Sequence, residues 1–181
     1  MNRKLRPFVQ TLAVSMLILL SSCGFVSEEM VISSDNAKSD PRLIGTWSHT
    51  EPNGKPPIRV EQAKGNALVI HFPDDLNPEK LIPIKAFAEK LGNSDYLNLA
   101  GEEKDRSINQ ILLKYDFVDN RINLYLFDTD TSSAKTIVTK DSNGEERIYR
   151  NSIEKFRTFL RSSEANKSFE FFGSFVRTES P

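Results

Sequence analysis

The chain has 181 residues, with 24 Lys and Arg, 25 Asp and Glu, and a single cysteine, Cys23. This length suits one domain with its own core and is too short for two ordinary domains. The formal net charge of −1 leaves no basic excess for a nucleic-acid interface, which needs positive surface to displace counterions. A single cysteine also excludes a disulfide within the chain.

The first 23 residues combine a basic start, an apolar run and the cysteine of the chain. Arg3, Lys4 and Arg6 precede an apolar run, Phe8 to Leu20, which is too short to span a bilayer but long enough for a secretory signal core. The segment Leu20-Ser21-Ser22-Cys23 then resembles the lipobox of bacterial lipoproteins, in which an aliphatic residue and two small residues precede the cysteine. The resemblance implies removal of residues 1–22 and lipidation of Cys23. The alternatives are an ordinary cleavage site and a buried thiol.

Lipid on Cys23 would make the membrane the first partner of the protein. Each methylene of the acyl chains contributes about 0.8 kcal/mol, so a diacylglycerol plus an amide-linked chain anchors firmly. Gly24 stands where an Asp would resemble the inner-membrane retention signal of enteric lipoproteins, and we therefore expect the periplasmic face of the outer membrane. Loss of residues 1–22, with three basic and no acidic side chains, changes the formal net charge to −4.

The rest of the chain divides into a short polar segment and one domain. Residues 23–41 are poor in aromatic residues and rich in Ser, Asp and Glu, which predicts a flexible tether in which Met30 to Ile32 could dock locally. Residues 42–181 form the predicted domain. Its strand candidates, chosen by period-two alternation, are Arg42–Thr50, Ile58–Gln62, Ala67–Phe72, Leu81–Ala88, Tyr96–Ala100, Ile108–Val118 and Arg121–Phe127.

The last two candidates predict an antiparallel hairpin that turns at Asp119-Asn120. The period then changes, and Ile153, Phe156 and Leu160 predict an amphipathic helix over residues 152–162. A strand rich in phenylalanine follows from Phe169. Many antiparallel strands with one helix before the last strand predict a mainly β fold, an antiparallel β-barrel of about eight strands, because closure removes exposed strand edges.

The triplet Gly45-Thr46-Trp47 is similar to the first-strand signature of lipocalins and related calycin barrels. Residues 43–178 more broadly resemble a group of small bacterial lipocalin-like lipoproteins, through Leu43–Trp47, Tyr96–Leu99, the hairpin at Asp119, the helix Ser152–Leu160 and the closing Phe175–Arg177. The resemblance implies that Trp47 closes the barrel base beneath a basic side chain, by a cation–π contact. Arg177 is the first candidate and Arg157 the second. The alternative is a simple core tryptophan with a solvated Arg177.

The sequence predicts no enzyme activity. His49 and His71 are its only histidines, and no Gly-x-Ser-x-Gly nucleophile elbow accompanies them. Lipidation would occupy the only thiol. A zinc site would need both histidines together with carboxylates, and no spacing points to that arrangement. We therefore expect no catalytic residue, metal or cofactor.

Two functions remain as hypotheses. In the first, the barrel binds a small apolar ligand such as a fatty acid or an envelope lipid; in the second, it binds or inhibits another cell-envelope protein. A small barrel can also be filled entirely by its own side chains. The predicted cavity residues lie on the hairpin and on the last strand: Ile111, Leu113, Tyr115, Phe117, Leu124, Leu126, Phe171 and Phe175.

Overall fold

The computed structural model describes residues 25–27, 29–51, 56–74, 77, 80–104, 107–131, 134–140, 142 and 144–179, without the side chains of residues 102–109 and 179. The lipobox and Cys23 lie outside the described residues.

Eight strands close into an antiparallel barrel, which confirms the predicted fold class. They are β2 (Gly45–His49), β3 (Ile58–Gln62), β4 (Ala67–Pro73), β5 (Leu81–Leu91), β6 (Ser94–Lys104), β7 (Ser107–Val118), β8 (Arg121–Phe127) and β11 (Phe169–Glu179). Strands β2 to β8 pair in chain order, and β11 closes the ring between β8 and β2. Three further strands, β1 (Phe25–Ser27), β9 (Thr139–Lys140) and β10 (Glu146–Ile148), extend the sheet beside the amino-terminal part of β7.

The predicted hairpin and helix are both present. Val118 pairs with Arg121 across a two-residue turn, in which Asp119 has a φ of 55°. Aspartate tolerates this left-handed conformation better than most residues. The helix α1 (Ile153–Leu160) follows a 3₁₀ turn at Arg150–Ser152 and buries Ile153, Phe156 and Leu160.

Strands β5 to β8 carry buried apolar side chains on both faces because each face covers a separate core. Leu97 and Leu113 point into the barrel, whereas their chain neighbours Tyr96 and Leu112 point outward and are fully buried. The inner cluster has as its buried members Leu43, Trp47, Val60, Leu68, Ile70, Ala86, Ala88, Leu97, Leu99, Leu113, Tyr115, Ile122 and Leu124. The outer cluster lies between these strands, α1 and the amino-terminal segment, and includes Phe25, Val31, Ile32, Phe87, Tyr96, Leu112, Phe127, Phe156 and Phe169.

The segment predicted as a flexible tether is instead part of the folded unit. Residues 25–27 and 29–38, here called the strap, cross the outer surface of the barrel, and Val31 and Ile32 have no exposed surface. Two buried amides hold the strap backbone: Gln110 Oε1 accepts from Val31 N at 3.0 Å, and Asn98 Oδ1 accepts from Ile32 N at 3.1 Å. The tether prediction is wrong for these residues, while the local docking of Met30 to Ile32 does occur.

The described helices are all too short or too polar to serve as membrane spans.

Candidate functional site

One end of the barrel is closed around Trp47. The side chain is 3% exposed, and its Nε1 donates to the carbonyl of Leu43 at 2.8 Å. Arg177 pairs with Trp47 across β2 and β11 and holds its guanidinium carbon 4.8 Å from the indole centroid. Arg177 also donates to the carbonyl of Arg42. The predicted Trp47–Arg177 contact is therefore present.

Arg157, the second candidate for covering Trp47, lies elsewhere. It is on the outer face of the barrel, in a bidentate ion pair with Glu89 at 2.7 and 2.9 Å. Arg157 also donates to the carbonyl of Val31 at 2.6 Å. Its role is therefore to join α1, β5 and the strap.

The 3₁₀ turn Pro41–Leu43 and its cap Asp40, here called the plug, cover the Trp47 end. Asp40 accepts hydrogen bonds from the Arg42 side chain at 2.7 and 2.9 Å, from the Arg42 backbone at 3.0 Å, and from the Tyr115 hydroxyl at 3.0 Å. The guanidinium of Arg42 also lies over the Phe117 ring, 4.6 Å from its centroid. Arg42 also pairs with Asp95 of β6 at 3.3 Å. The turn is thus fixed to the ends of β6, β7 and β11.

Charge and burial set the protonation states in the plug. Burial alone would raise the pKa of Asp40, but the hydrogen bonds from Arg42 and Tyr115 together outweigh it and lower that pKa. Burial, and then the negative charge of Asp40, raise the pKa of Tyr115. The hydrogen bond to Asp40 raises the pKa of Arg42. At neutral pH the plug is a charged Asp40–Arg42 pair with a neutral tyrosine.

The opposite end of the barrel is less buried than the end around Trp47. This end lies where β2, β4, β6 and β8 finish and where β3, β5, β7 and β11 begin. The inner-cluster side chains there are only half-buried: Ile58, Phe72, Ile84, Ile111, Leu126 and Phe175. At its edge, Leu81 and Ile82 are 45% and 40% exposed. The barrel interior therefore reaches solvent as apolar surface at this end.

Seven of the eight predicted cavity residues belong to the inner cluster. Tyr115 and Phe117 lie beneath the plug, and Leu113 and Leu124 are buried between the two ends. Ile111, Leu126 and Phe175 are half-buried at the opposite end.

The eighth predicted cavity residue, Phe171, is outside the barrel, and its prediction is wrong. It is 63% exposed and contacts Tyr125 edge to face, with ring centroids 5.7 Å apart. The register of β11 against β8 shifts between Phe171 and Gly173. A bulge inserts one residue and reverses the alternation of side chains. Phe175 is therefore inside although Phe171 lies outside.

His49 at the end of β2 was not among the predicted cavity residues. Its ring is half-buried and packs edge to face on Phe175, with centroids 5.1 Å apart. Its Nδ1 accepts the backbone N–H of Glu51 at 3.1 Å. The sequence does indicate that His49 faces inward, because residues two apart on a strand share a face and the resemblance places Trp47 inside the barrel.

The second histidine and the remaining acidic clusters of the described residues lie apart from the inner cluster. His71 lies on β4 outside the inner cluster, with Nε2 3.3 Å from Glu61 Oε2. In the part of the chain that the structure describes, no group of three or more His, Cys, Asp or Glu residues could hold a metal ion. A cleft of about 340 Å³ outside the barrel contains two ion pairs, Lys135–Asp130 and Lys140–Glu146.

Comparison of the chain with protein-family models, with curated proteins and with solved structures found no match.

Proposed function

We propose that this protein is a lipid-anchored, lipocalin-like protein of the bacterial cell envelope whose barrel binds a small apolar molecule, such as a fatty acid or an envelope lipid. The observation that carries the proposal is the difference between the two ends of the barrel. At the plugged end Leu43, Trp47 and Tyr115 are buried and only Ile44 and Phe117 are half-buried, whereas six inner-cluster side chains at the opposite end are half-buried. The role is binding, and no catalytic step is assigned to the chain.

An apolar ligand would bind by burying the apolar surface at the opposite end. Covering such surface is favourable by roughly 25 cal/mol per Å², and small-molecule sites are typically concave and apolar with few polar groups. An eight-stranded barrel is the size at which the interior is either filled or holds one small ligand. A chain-like apolar molecule entering opposite the plug would cover Ile111, Leu126 and Phe175.

The membrane is the second element of the proposal. The lipobox at Leu20–Cys23 supports lipidation, and Gly24 favours the outer membrane by analogy. Cys23 lies two residues before Phe25, which is 1% exposed in the outer cluster. Two residues of extended chain reach about 7 Å. The anchor would therefore hold the barrel directly against the membrane surface, where lipid-derived ligands are concentrated.

The test uses the chain from Gly24 onward, with the strap intact and without the anchor. Native mass spectrometry would detect a co-purifying lipid, and displacement of a fluorescent apolar probe would measure binding. We expect Leu126→Lys to abolish probe binding, because it puts a charge among apolar side chains at the opposite end. Glu170 of β11 pairs with Leu126 of β8 and offers the new lysine a counter-charge, so we expect the variant to remain folded.

The matched control is Phe171→Lys, which puts the same charge on the outer surface of β11 and leaves the inner cluster intact. Circular dichroism would establish that both variants are folded. Equal probe binding by the two variants, or no probe binding by the unaltered chain, would contradict the proposal.

A second candidate function is binding to an envelope protein, which the exposed aromatic pair Phe171 and Phe172 favours, at 63% and 45% exposure. Crosslinking in intact cells separates the candidates. An adduct lost on Phe171→Ser, from a barrel that binds no probe, would favour the protein partner.

A further inference from the structure

We infer that His49 is the polar contact for the ligand of this barrel, and that the ligand is an apolar chain whose head group accepts a hydrogen bond, such as a carboxylate. The inference rests on the proposed function and narrows the class of ligand. It follows from the tautomer, the position and the surroundings of the imidazole.

The tautomer is fixed by the backbone. His49 Nδ1 accepts the Glu51 N–H at 3.1 Å and so cannot carry a proton itself. In the neutral ring the proton is therefore on Nε2, which becomes a hydrogen-bond donor. No residue in the described ranges forms a hydrogen bond with Nε2.

The ring position is fixed by β11. Phe175 packs against the imidazole edge to face, with an interplanar angle of 75°. Gly173 lies beneath Nε2, and a Cβ at that position would be only 3.3 Å from Nε2. Gly173 pairs with Leu124 of the inner cluster, so its missing side chain would point into the barrel. Glycine at the bulge thus leaves room for Nε2 on the inner side of the wall.

The surroundings of Nε2 determine which head group the ligand must have. Phe175, which packs on the imidazole, is apolar, and so is Ile58, which pairs with Trp47 on the next strand. A ligand that displaced water from Nε2 without replacing its hydrogen bond would leave a polar group unsatisfied, at a cost in affinity. A carboxylate replaces that bond best, because hydrogen bonds to charged acceptors are the stronger ones. A head group with donors alone cannot replace it.

The experiment compares two probes with the same chain, dodecanoate and dodecylammonium, on the chain from Gly24 onward at neutral pH. The first head group accepts hydrogen bonds and the second only donates them. We expect the unaltered chain to bind dodecanoate about tenfold more tightly or better. His49→Phe should lose this preference and keep the affinity for the apolar chain.

The control variant is His71→Phe, because His71 lies outside the inner cluster beside Glu61; it should keep the preference. A second measurement needs no variant. The chain has two histidines, so dodecanoate should shift the Nε2 nuclear magnetic resonance signal of His49 and leave that of His71 unchanged.

The outcomes separate the two proposals. If neither probe binds, the proposed function fails and the inference fails with it. If the probes bind but the preference survives in His49→Phe, or if the His49 signal does not shift, the role of His49 is overturned while ligand binding by the barrel stands.

Discussion

At the scale of single residues, Trp47 contributes most to the closed end of the barrel. It fills the space between the plug and Phe117, donates one hydrogen bond and carries the Arg177 guanidinium on its face. Replacement by alanine leaves a cavity and removes these contacts. We expect Trp47→Ala to lower the free energy of unfolding by about 3–5 kcal/mol, measured by urea denaturation followed by circular dichroism.

The control is a second aromatic truncation, Phe171→Ala, at an exposed position of the same barrel. Surface substitutions of this kind change stability by about 0.5 kcal/mol or less. Similar losses in the two variants would mean that Trp47 is not the buried closure.

Residue patterns in the sequence predict the barrel interior wherever the alternation of a strand is unbroken. The hairpin of β7 and β8 has a regular register, and its six predicted cavity residues lie in the inner cluster. On β11 the bulge after Phe171 reverses the alternation, and nothing in the Phe-rich run marks its place. His49 could have been predicted, since it shares the face of Trp47.

At the scale of elements, the strap could not be predicted from its own composition. Its backbone is held by Asn98 and Gln110, which lie 66 and 79 residues away in the chain. Serine and acidic residues are typical of a solvated segment, and only Phe25, Val26 and the run from Met30 to Ile32 depart clearly from that pattern. Burial here depends on the apolar side chains of Tyr96 and Leu112 on the outer faces of β6 and β7, where an ordinary barrel surface would be polar.

The plug should make the stability of the protein depend on pH. The folded-state pKa of Asp40 is lowered, whereas an unfolded aspartate titrates near pH 3.9. The folded state therefore gains stability from the charged form above about pH 4 and loses it as the pH falls through the lowered pKa. We expect Asp40→Asn to be less stable than the unaltered chain at pH 7 and to lose most of that difference near pH 2.

Urea denaturation at the two pH values measures this difference, with other carboxylates cancelling between the two proteins. Asp35→Asn, at an exposed position of the strap, is the control for replacing an aspartate and should change the free energy of unfolding at pH 7 by about 0.5 kcal/mol or less. A stability difference for Asp40→Asn that is the same at both pH values would rule out the charged Asp40–Arg42 pair as its cause.

At the scale of the whole molecule, two cores share the wall formed by β5 to β8. The inner core closes the barrel around Trp47, and the outer core attaches the strap and α1 to it. Arg157 and Glu89 connect the two layers, with side chains 6% and 12% exposed. A buried pair of this kind is costly to break, because either partner alone would be an uncompensated charge. The strap is therefore part of the folding unit, and an anchor at Cys23 would orient the entire barrel.

Removal of the strap tests this organisation. A chain that begins at Ser39 keeps the plug but loses Phe25, Val31 and Ile32, each worth about 1.5–3 kcal/mol when fully buried. It also leaves Asn98 and Gln110 without their backbone partners and exposes Leu112. The expected loss, about 5–9 kcal/mol, is comparable to the whole stability of an ordinary domain. We therefore expect this chain to be largely unfolded by circular dichroism, whereas the chain from Gly24 is folded.

In the chain from Gly24, the amides of Val31 and Ile32 should exchange with deuterium as slowly as those of β6 and β7. A chain from Ser39 that unfolded at the same urea concentration as the longer one would make the strap a tether after all.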